Sequence, residues 1–352
     1  MKVLMALSGG VDSSVAAAEL VRDGHEVVGI TMRLWGGESD TGCCSVADVD
    51  DARRVAQQLD IDHLVFNFSD DFANQVVEPY IQAHRDGLTP NPCIECNRHL
   101  KFDRLSERAD LLGFDAIATG HHARIVQRDG VWFVARGHDS AKDQSYVVHM
   151  LPQRELARTL FPIGHLTKRE VRERAMTLGL RTAAKPDSQD VCFITDVGGR
   201  ETFLGSRIPF RRAEVVDAID GKLLGDVDAL ELVTLGQRRG IGLPGGGPKR
   251  YVVDIDHHGA IVTVGDESLL QTETTLVRGV VWAHEPFVGR VSVQCSAHGV
   301  ADSAELTCRD ANEVGAAVAV RWAEPKRRVA PGQSVVFYDD SNTYVLGGGI
   351  AC

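Results

Sequence analysis

Two kinds of chemistry are laid out in this chain by residue type and spacing. The first lies in Val3-Leu4-Met5-Ala6-Leu7-Ser8-Gly9-Gly10-Val11-Asp12-Ser13-Ser14-Val15. There an apolar run suited to a buried strand breaks into Ser-Gly-Gly and resumes as a small-residue helix through Ala18 and Leu20. Such a strand–turn–helix sets the backbone N–H groups of Gly9, Gly10 and Val11 at a helix N-terminus, where they can hold a phosphate. It is not a Walker A loop, because the Gly-Lys-Ser/Thr ending is absent. The second is a set of thiols. Cys93 and Cys96 form a Cys-x-x-Cys within Thr89-Pro90-Asn91-Pro92-Cys93-Ile94-Glu95-Cys96-Asn97-Arg98-His99-Leu100-Lys101-Phe102, and Cys192 stands alone in the polar run Asp187-Ser188-Gln189-Asp190-Val191-Cys192-Phe193. A Cys-x-x-Cys by itself serves zinc, disulfide or redox chemistry. No second such pair is present, so a four-thiolate zinc site would need scattered ligands. An ordinary thiol has a pKa of about 8.5 and reacts well near neutrality only in a positive local field. Arg98, His99, Lys101 and a helix predicted to start at Asn97 are placed to supply one to Cys96.

The elements that must position these groups follow from periodicity. Residues 3–7 and 26–32 read as buried strands, with helical spacing over 46–59, a strand over 64–68 and a helix over 72–83. A loop rich in Pro, Asn and Cys comes next, then a helix near 98–112 and a strand over 115–119. Strands alternating with helices at this interval predict a parallel α/β sheet. Ligands of such sheets sit at the carboxyl ends of strands, where Leu7, Met32 and Thr119–Gly120 fall. Residues 151–180 turn helical and basic. Past Ile208 the pattern changes to short β-like runs (213–217, 223–224, 251–255, 261–264), with 242–248 read as an exposed loop or hinge. From residue 272, short alternating strands (277–282, 291–294, 317–322, 334–337) predict a small antiparallel barrel. The expected division is an α/β domain over 1–207, a central β-rich domain over 208–271 and a barrel over 272–352.

Composition narrows the class. A chain of 352 residues is long for one domain and suits two or three. Hydrophobic content of 43% and charged content of 25% are ordinary for a soluble globular protein. No long apolar run and no signal-peptide layout is visible, so a cytosolic protein is expected. Its eight cysteines then read as thiols for chemistry or metal rather than a disulfide framework. The net charge of −11 argues against a nucleic-acid partner, but the distribution matters more than the sum. Residues 1–75 carry 13 Asp/Glu against 5 Lys/Arg, a net of −8, whereas residues 161–212 carry 6 against 10, a net of +4. A basic middle permits a local RNA footprint; solvated helix faces would give the same counts.

The loop at Ser8 resembles the pyrophosphatase loop, Ser-Gly-Gly-x-Asp-Ser-Ser, of ATP pyrophosphatases. These enzymes cut ATP between its α and β phosphates and place AMP on a substrate oxygen. With residues 89–102 and 187–193, the chain is similar to the tRNA-specific 2-thiouridylases, which convert the wobble uridine of the anticodon, U34, to 2-thiouridine. The resemblance extends to Gly29-Ile30-Thr31-Met32, Gly42-Cys43-Cys44-Ser45, Thr119-Gly120-His121-His122-Ala123-Arg124 and Lys142-Asp143-Gln144-Ser145-Tyr146. It reaches Gly236-Gln237-Arg238-Arg239-Gly240, Pro331-Gly332-Gln333-Ser334 and Leu346-Gly347-Gly348-Gly349, and so spans nearly the whole chain.

What the resemblance implies is specific. Ala6, Leu7, Ser8, Gly9, Gly10, Val11, Asp12 and Ser13, with Met32 and Gly120, would bind ATP, accompanied by Mg²⁺. Cys96 would be the nucleophile and Cys192 the persulfide carrier. Asn91, Pro92 and Cys93 would lie against the flipped base; His121, Lys142, Asp143 and Gln144 would line the tRNA path, and Gln333 would reach it from the barrel. The implied partners are tRNA and a sulfur-donor protein such as a cysteine desulfurase or a relay protein. One position departs: many members have Asp where this chain has Cys93. Cys93, Cys96 and Cys192 could then hold a [4Fe–4S] cluster with one iron open to sulfide. Alternatively, Cys192 carries a persulfide that Cys96 resolves through a disulfide. The cysteine count leaves both open. Cys43 and Cys44 read as packing residues, and Cys295, Cys308 and Cys352 as structural. Competing readings are an ATP pyrophosphatase with a nitrogen nucleophile, which has no use for Cys96 and Cys192, and a non-catalytic RNA-binding or iron–sulfur protein, which does not need the loop.

Overall fold

The centre of the molecule is strand β1 (Lys2–Ala6), apolar to both sides because it runs through the middle of a parallel sheet. The computed structural model describes residues 1–34, 45–187, 191–194, 199–243, 247–308 and 317–352, and counts of elements refer to these. Val3, Met5 and Leu7 face one apolar layer with Val11, Val15 and Leu20 of helix α1 (Val11–Arg22). Leu4 and Ala6 face the other, with Ile30, Met32, Phe72 and Ile94. This is the two-residue alternation of a strand buried on both faces. β1 pairs in parallel with β2 (Glu26–Arg33) on one side and with β4 (Ala116–Ala118) on the other. Helix α2 (Val46–Gln58) leads to the edge strand β3 (Asp62–Asn67). The sheet order is β3-β2-β1-β4-β7, where β7 is Thr159–Leu160. Strand order therefore reverses between β1 and β4, and the crevice opens at their carboxyl ends.

The predicted sheet is present, with three differences. A hairpin of β5 (Ala123–Arg128) and β6 (Val131–Arg136) follows β4. Residues 151–180, read as helical, contain only the helices Gln153–Leu156 and Lys168–Thr177, with β7 between them. The Pro-rich stretch before Cys96 is helical. Asn91 caps it, its side chain accepting from Cys93 N at 3.1 Å, and Pro92 occupies the first turn, where its missing N–H costs nothing. The helix Pro92–Glu95 continues through the π-helical Cys96–Arg104 into Leu105–Leu112.

Two β units complete the chain. The central sheet runs β10-β11-β8-β9, from β8 (Ala213–Asp217), β9 (Leu223–Val227), β10 (Tyr251–Asp256) and β11 (Ile261–Gly265). A closed antiparallel barrel follows, made of β12 (Gln271–Trp282), β13 (Gly289–Gln294), β14 (Asp302–Cys308), β15 (Val318–Arg327), β16 (Ser334–Tyr338) and β17 (Val345–Ala351). β14 and β17 were not expected. β17 escaped because Gly347, Gly348 and Gly349 give it no alternating pattern. A Cβ on Gly349 would stand 2.5 Å from Arg278 O, so close strand approach accounts for that glycine. The barrel is joined to the α/β unit: Val336, Tyr338 and Val345 belong to the same apolar cluster as Ile94 and Leu100. No described helix is long and apolar enough to cross a membrane.

Candidate active site

The phosphate-type turn forms as its residues require. Gly9 has φ +71°, and a Cβ there would fall 2.3 Å from Asp48 O, so only glycine fits between β1 and α2. Gly10 is the N-cap of α1 and supplies no side-chain acceptor to the helix N-terminus. Ser8 and Ser13 share a contact at 3.2 Å, and Ser14 Oγ donates to Gly10 O at 2.7 Å, fixing the loop on its own helix. Across the crevice, a Cβ on Gly120 would lie 2.7 Å from Ser13 N. Gly120 thus lets the end of β4 close on the start of α1. Met32 lies buried at the end of β2. The predicted nucleotide residues from Ala6 to Ser13, with Met32 and Gly120, lie at or just past the carboxyl ends of β1, β2 and β4.

Charged groups converge on this turn from later in the chain. Lys168 Nζ donates to both Asp12 oxygens, at 2.6 and 2.8 Å, and pairs with Asp187 at 2.8 Å. His122 Nε2 reaches Asp12 Oδ1 at 3.2 Å, while its Nδ1 is buried without a hydrogen-bond partner. Burial alone would raise the Asp12 carboxyl; the hydrogen bonds and charges of His122 and Lys168 outweigh it and hold the group lowered. Lys185 Nζ fastens the loop itself, donating to Gly9 O at 3.0 Å and to Asp48 and Asp51 at 2.6 and 2.9 Å. Asp187 accepts from Lys142 and Arg172, at 2.9 and 2.7 Å, as well as from Lys168. Against the opposing effect of burial, Lys168 and Lys142 bring its pKa down to about 2. Lys168, Lys185, His122 and Asp187 were not singled out from the sequence as site residues. One signal was legible: Thr167-Lys168-Arg169-Glu170 is a capping box, which puts two cations in the first turn of a helix, the electrostatically wrong end.

The thiols lie along the other apolar layer. Cys93 is exposed in the first turn of its helix, and Cys96, the residue that opens the π-helical stretch, is buried. The helix start therefore favours Cys93 rather than Cys96, contrary to the predicted start at Asn97. The π-helix is uncommon and gathers at functional sites. His99 sits between Glu95 and Asp103, at 3.3 Å from each, and Arg98 lies 3.8 Å from Glu95, so both side chains face carboxylates. Cys192 is half-buried and packs on the cluster that contains Cys96. Phe193 beside it meets Phe72, Tyr80 and Phe203 at ring separations of 5.7, 5.5 and 5.0 Å. Burial raises the Tyr80 phenol, with Arg200 opposing that shift and the Cys93 sulfur adding to it. Among the described residues no three His, Cys, Asp or Glu side chains gather as a metal site. Burial pushes the Cys295 thiol up to about 12, in keeping with a structural role. Cys352 is exposed, and the side chain of Cys308 and residues Cys43, Cys44 and 188–190 lie outside the described residues.

The proposed RNA-facing residues divide. Thr89, two residues before Asn91, Pro92 and Cys93, is joined to the barrel: Gln333 donates to Thr89 O, and Thr89 N to Pro331 O at 2.8 Å. Lys142 joins the cradle through Asp187. His121 is a core residue: it stacks on Phe102, holds Thr119 Oγ1 at 2.7 Å, and is kept neutral by burial. Asp143 binds Gly137 N and Arg136, and Gln144 accepts from His122 N at 2.8 Å. Both shape the turn behind the cradle.

Family models match in sequence along the chain: tRNA methyl transferase HUP domain over 1–196, tRNA methyl transferase PRC-barrel domain over 201–266, and aminomethyltransferase beta-barrel domain over 273–351. Among curated proteins, the tRNA-specific 2-thiouridylase MnmA of Chloroflexus aurantiacus is 44% identical across 99% of this chain and 97% of its own length. The chain belongs to the tRNA-specific 2-thiouridylase family. Namesakes from Corynebacterium kroppenstedtii and Mycolicibacterium paratuberculosis are 43% and 44% identical, covering 100% and 99% of this chain and 95% and 98% of their own.

Proposed function

We propose that this chain uses ATP to adenylate the C2 oxygen of the wobble uridine U34 of a tRNA and replaces that oxygen with sulfur, releasing AMP and pyrophosphate. The observation that carries the reading is the uncapped Gly9–Val11 turn beside Asp12, on a chain that also buries Cys96 and half-buries Cys192 against one apolar layer. The C2 oxygen is a poor leaving group. Transfer of AMP onto it makes C2 an electrophile and the oxygen part of a good leaving group, so the cradle must act before sulfur does. Methyl transfer, the activity in the family models' wording, breaks no phosphoanhydride and has no use for such a turn. Asp12 is the carboxylate at the turn, an oxygen ligand of the type magnesium accepts, and the ion would supply charge to the phosphates.

Sulfur arrives, in this reading, as a persulfide on Cys192 loaded by a donor protein of the cysteine desulfurase or relay class. Cys96 attacks the Cys192 sulfur, the terminal sulfur passes to C2, AMP departs with the oxygen, and a Cys96–Cys192 disulfide remains for a thiol reductant to clear. The residues Asn91, Pro92, Cys93, Lys142 and Gln333 are the candidates for the RNA surface, and a cytoplasmic location goes with a tRNA substrate. The test is conversion of ATP to AMP and pyrophosphate with and without U34-containing tRNA. Dependence on tRNA, with sulfur found at C2, is expected; AMP formation indifferent to tRNA overturns the reading.

A further inference from the structure

Resting on that adenylation reading, we propose that Arg136 is the positioning residue that holds the barrel in register with the phosphate cradle, so that a base carried in on RNA meets ATP. Arg136 is the last residue of β6, and its guanidinium lies where the α/β unit meets the barrel. On the barrel side, Nη1 donates to Gln294 Oε1 of β13 and Nη2 to Asn342 Oδ1, each at 2.6 Å. The Tyr338 ring of β16 lies under the guanidinium, its centroid 3.6 Å from Cζ. On the α/β side, Nη1 donates to Asp143 Oδ2 at 2.8 Å. The Arg136 and Asp143 side chains are 19% and 9% exposed, so the pair is largely shielded from water. A planar fork of five donors can serve Asp143, Gln294 and Asn342 in fixed directions; a point charge such as an ammonium cannot.

Asp143 belongs to a turn whose consecutive residues look three ways. Asp143 takes Arg136, and its Oδ1 accepts from Gly137 N at 2.7 Å. Lys142 reaches Asp187 at 2.9 Å. Gln144 clasps His122 twice, its N donating to His122 O at 2.9 Å and its Oε1 accepting from His122 N at 2.8 Å. His122 Nε2 in turn stands 3.2 Å from Asp12 Oδ1. Gln294 and Asn342 of the barrel are thus joined to Asp12 of the cradle through Arg136, Asp143, Gln144 and His122. Tyr146 ties the barrel as well, donating to Ser334 O at 2.9 Å, but that bond ends on a strand carbonyl and engages no residue of the turn. Adenylation needs the C2 oxygen held close to the α-phosphorus and in line with the bond that breaks. RNA that leans on the barrel, where Gln333 is a candidate contact, delivers its base correctly only while barrel and cradle keep one relative placement. Losing Arg136 should therefore slow the reaction without weakening either ligand.

The test follows AMP formation by rapid quench at saturating ATP and U34-containing tRNA, with ATP affinity from calorimetry and tRNA affinity from filter binding. Arg136→Lys keeps a cation on Asp143 and loses the fork, and should slow AMP formation by about tenfold or more with both affinities within about twofold of the parent. Gln294→Met cuts only the barrel end and leaves no charge unpaired; it should slow AMP formation by about threefold, and the two substitutions together should do little more than Arg136→Lys alone. Tyr146→Phe should match the parent in all three measurements. Parental AMP formation in Arg136→Lys or Gln294→Met overturns the assignment. So does an equal loss in Tyr146→Phe, or a loss accounted for by weaker ATP or tRNA binding, since either would mark a general packing role. Failure of the parent protein to form AMP with tRNA would instead sink the adenylation reading.

Discussion

The phosphate cradle and the thiol region are built on opposite principles. The cradle is one contiguous turn, Ser8 to Ser14, locked by backbone contacts at Gly9 and Gly120 that tolerate no side chain and held by ion pairs from Lys168 and Lys185. The thiols come from segments about a hundred residues apart, and what holds them is aromatic packing around Tyr80, Phe193 and Phe203. A cradle must present rigid donors to a fixed anion geometry, so preorganisation is its contribution. In the proposed function the thiols must meet a donor protein, a nucleophile and a base in turn, and the ring cluster around Phe193, beside Cys192, contains no ion pair among the described residues to fix one geometry.

The largest effect that can break this comparison separates the two regions by substitution. Cys96→Ala and Cys192→Ala should each abolish 2-thiouridine formation while single-turnover release of pyrophosphate from ATP and tRNA persists, as followed by rapid quench. Normal thiolation by Cys192→Ala would end the paired-thiol account. The next effect lies in the cradle. Asp12→Ala should slow AMP formation by about 10²–10³-fold, the scale of losing one preorganised charge contact, with tRNA affinity by filter binding little changed. AMP release at the parental rate would show that the anion sits elsewhere.

The smallest effect sharpens the contrast through pH. His84, buried against Tyr80 at a ring separation of 4.6 Å, has its pKa depressed to about 4 by burial and by Arg200. It is neutral when folded, so unfolded chains bind the extra proton as pH falls below about 6.5, and its contribution is lost between there and about 4. Asp187 on the cradle side has a folded pKa of about 2, so its ion pairs persist until pH falls below the ordinary carboxylate value of 3.8. On acidification the thiol side should loosen first. Hydrogen exchange at pH 7, 5 and 4 checks this: residues 78–85 should lose protection before residues 11–22, and the reverse order would refute the division.

What the sequence determined by itself is whatever depends on neighbours in the chain. The turn at Ser8, the parallel sheet and the barrel's alternating strands are local patterns, and they are where the reading and the fold agree. The helix start at Pro92 was also local, but Pro and Asn serve loops and helix starts alike, and only the hydrogen bond from Cys93 N to Asn91 selects between them. Tertiary structure decided the rest, because charge pairing and burial have no sequence period. It placed Lys168, His122 and Lys185 around a turn up to 176 residues away. It sent His121 and Asp143 into the interior although polar residues read as surface. It also set Gln333, the residue before β16 of the barrel, against Thr89, two residues before the helix cap Asn91.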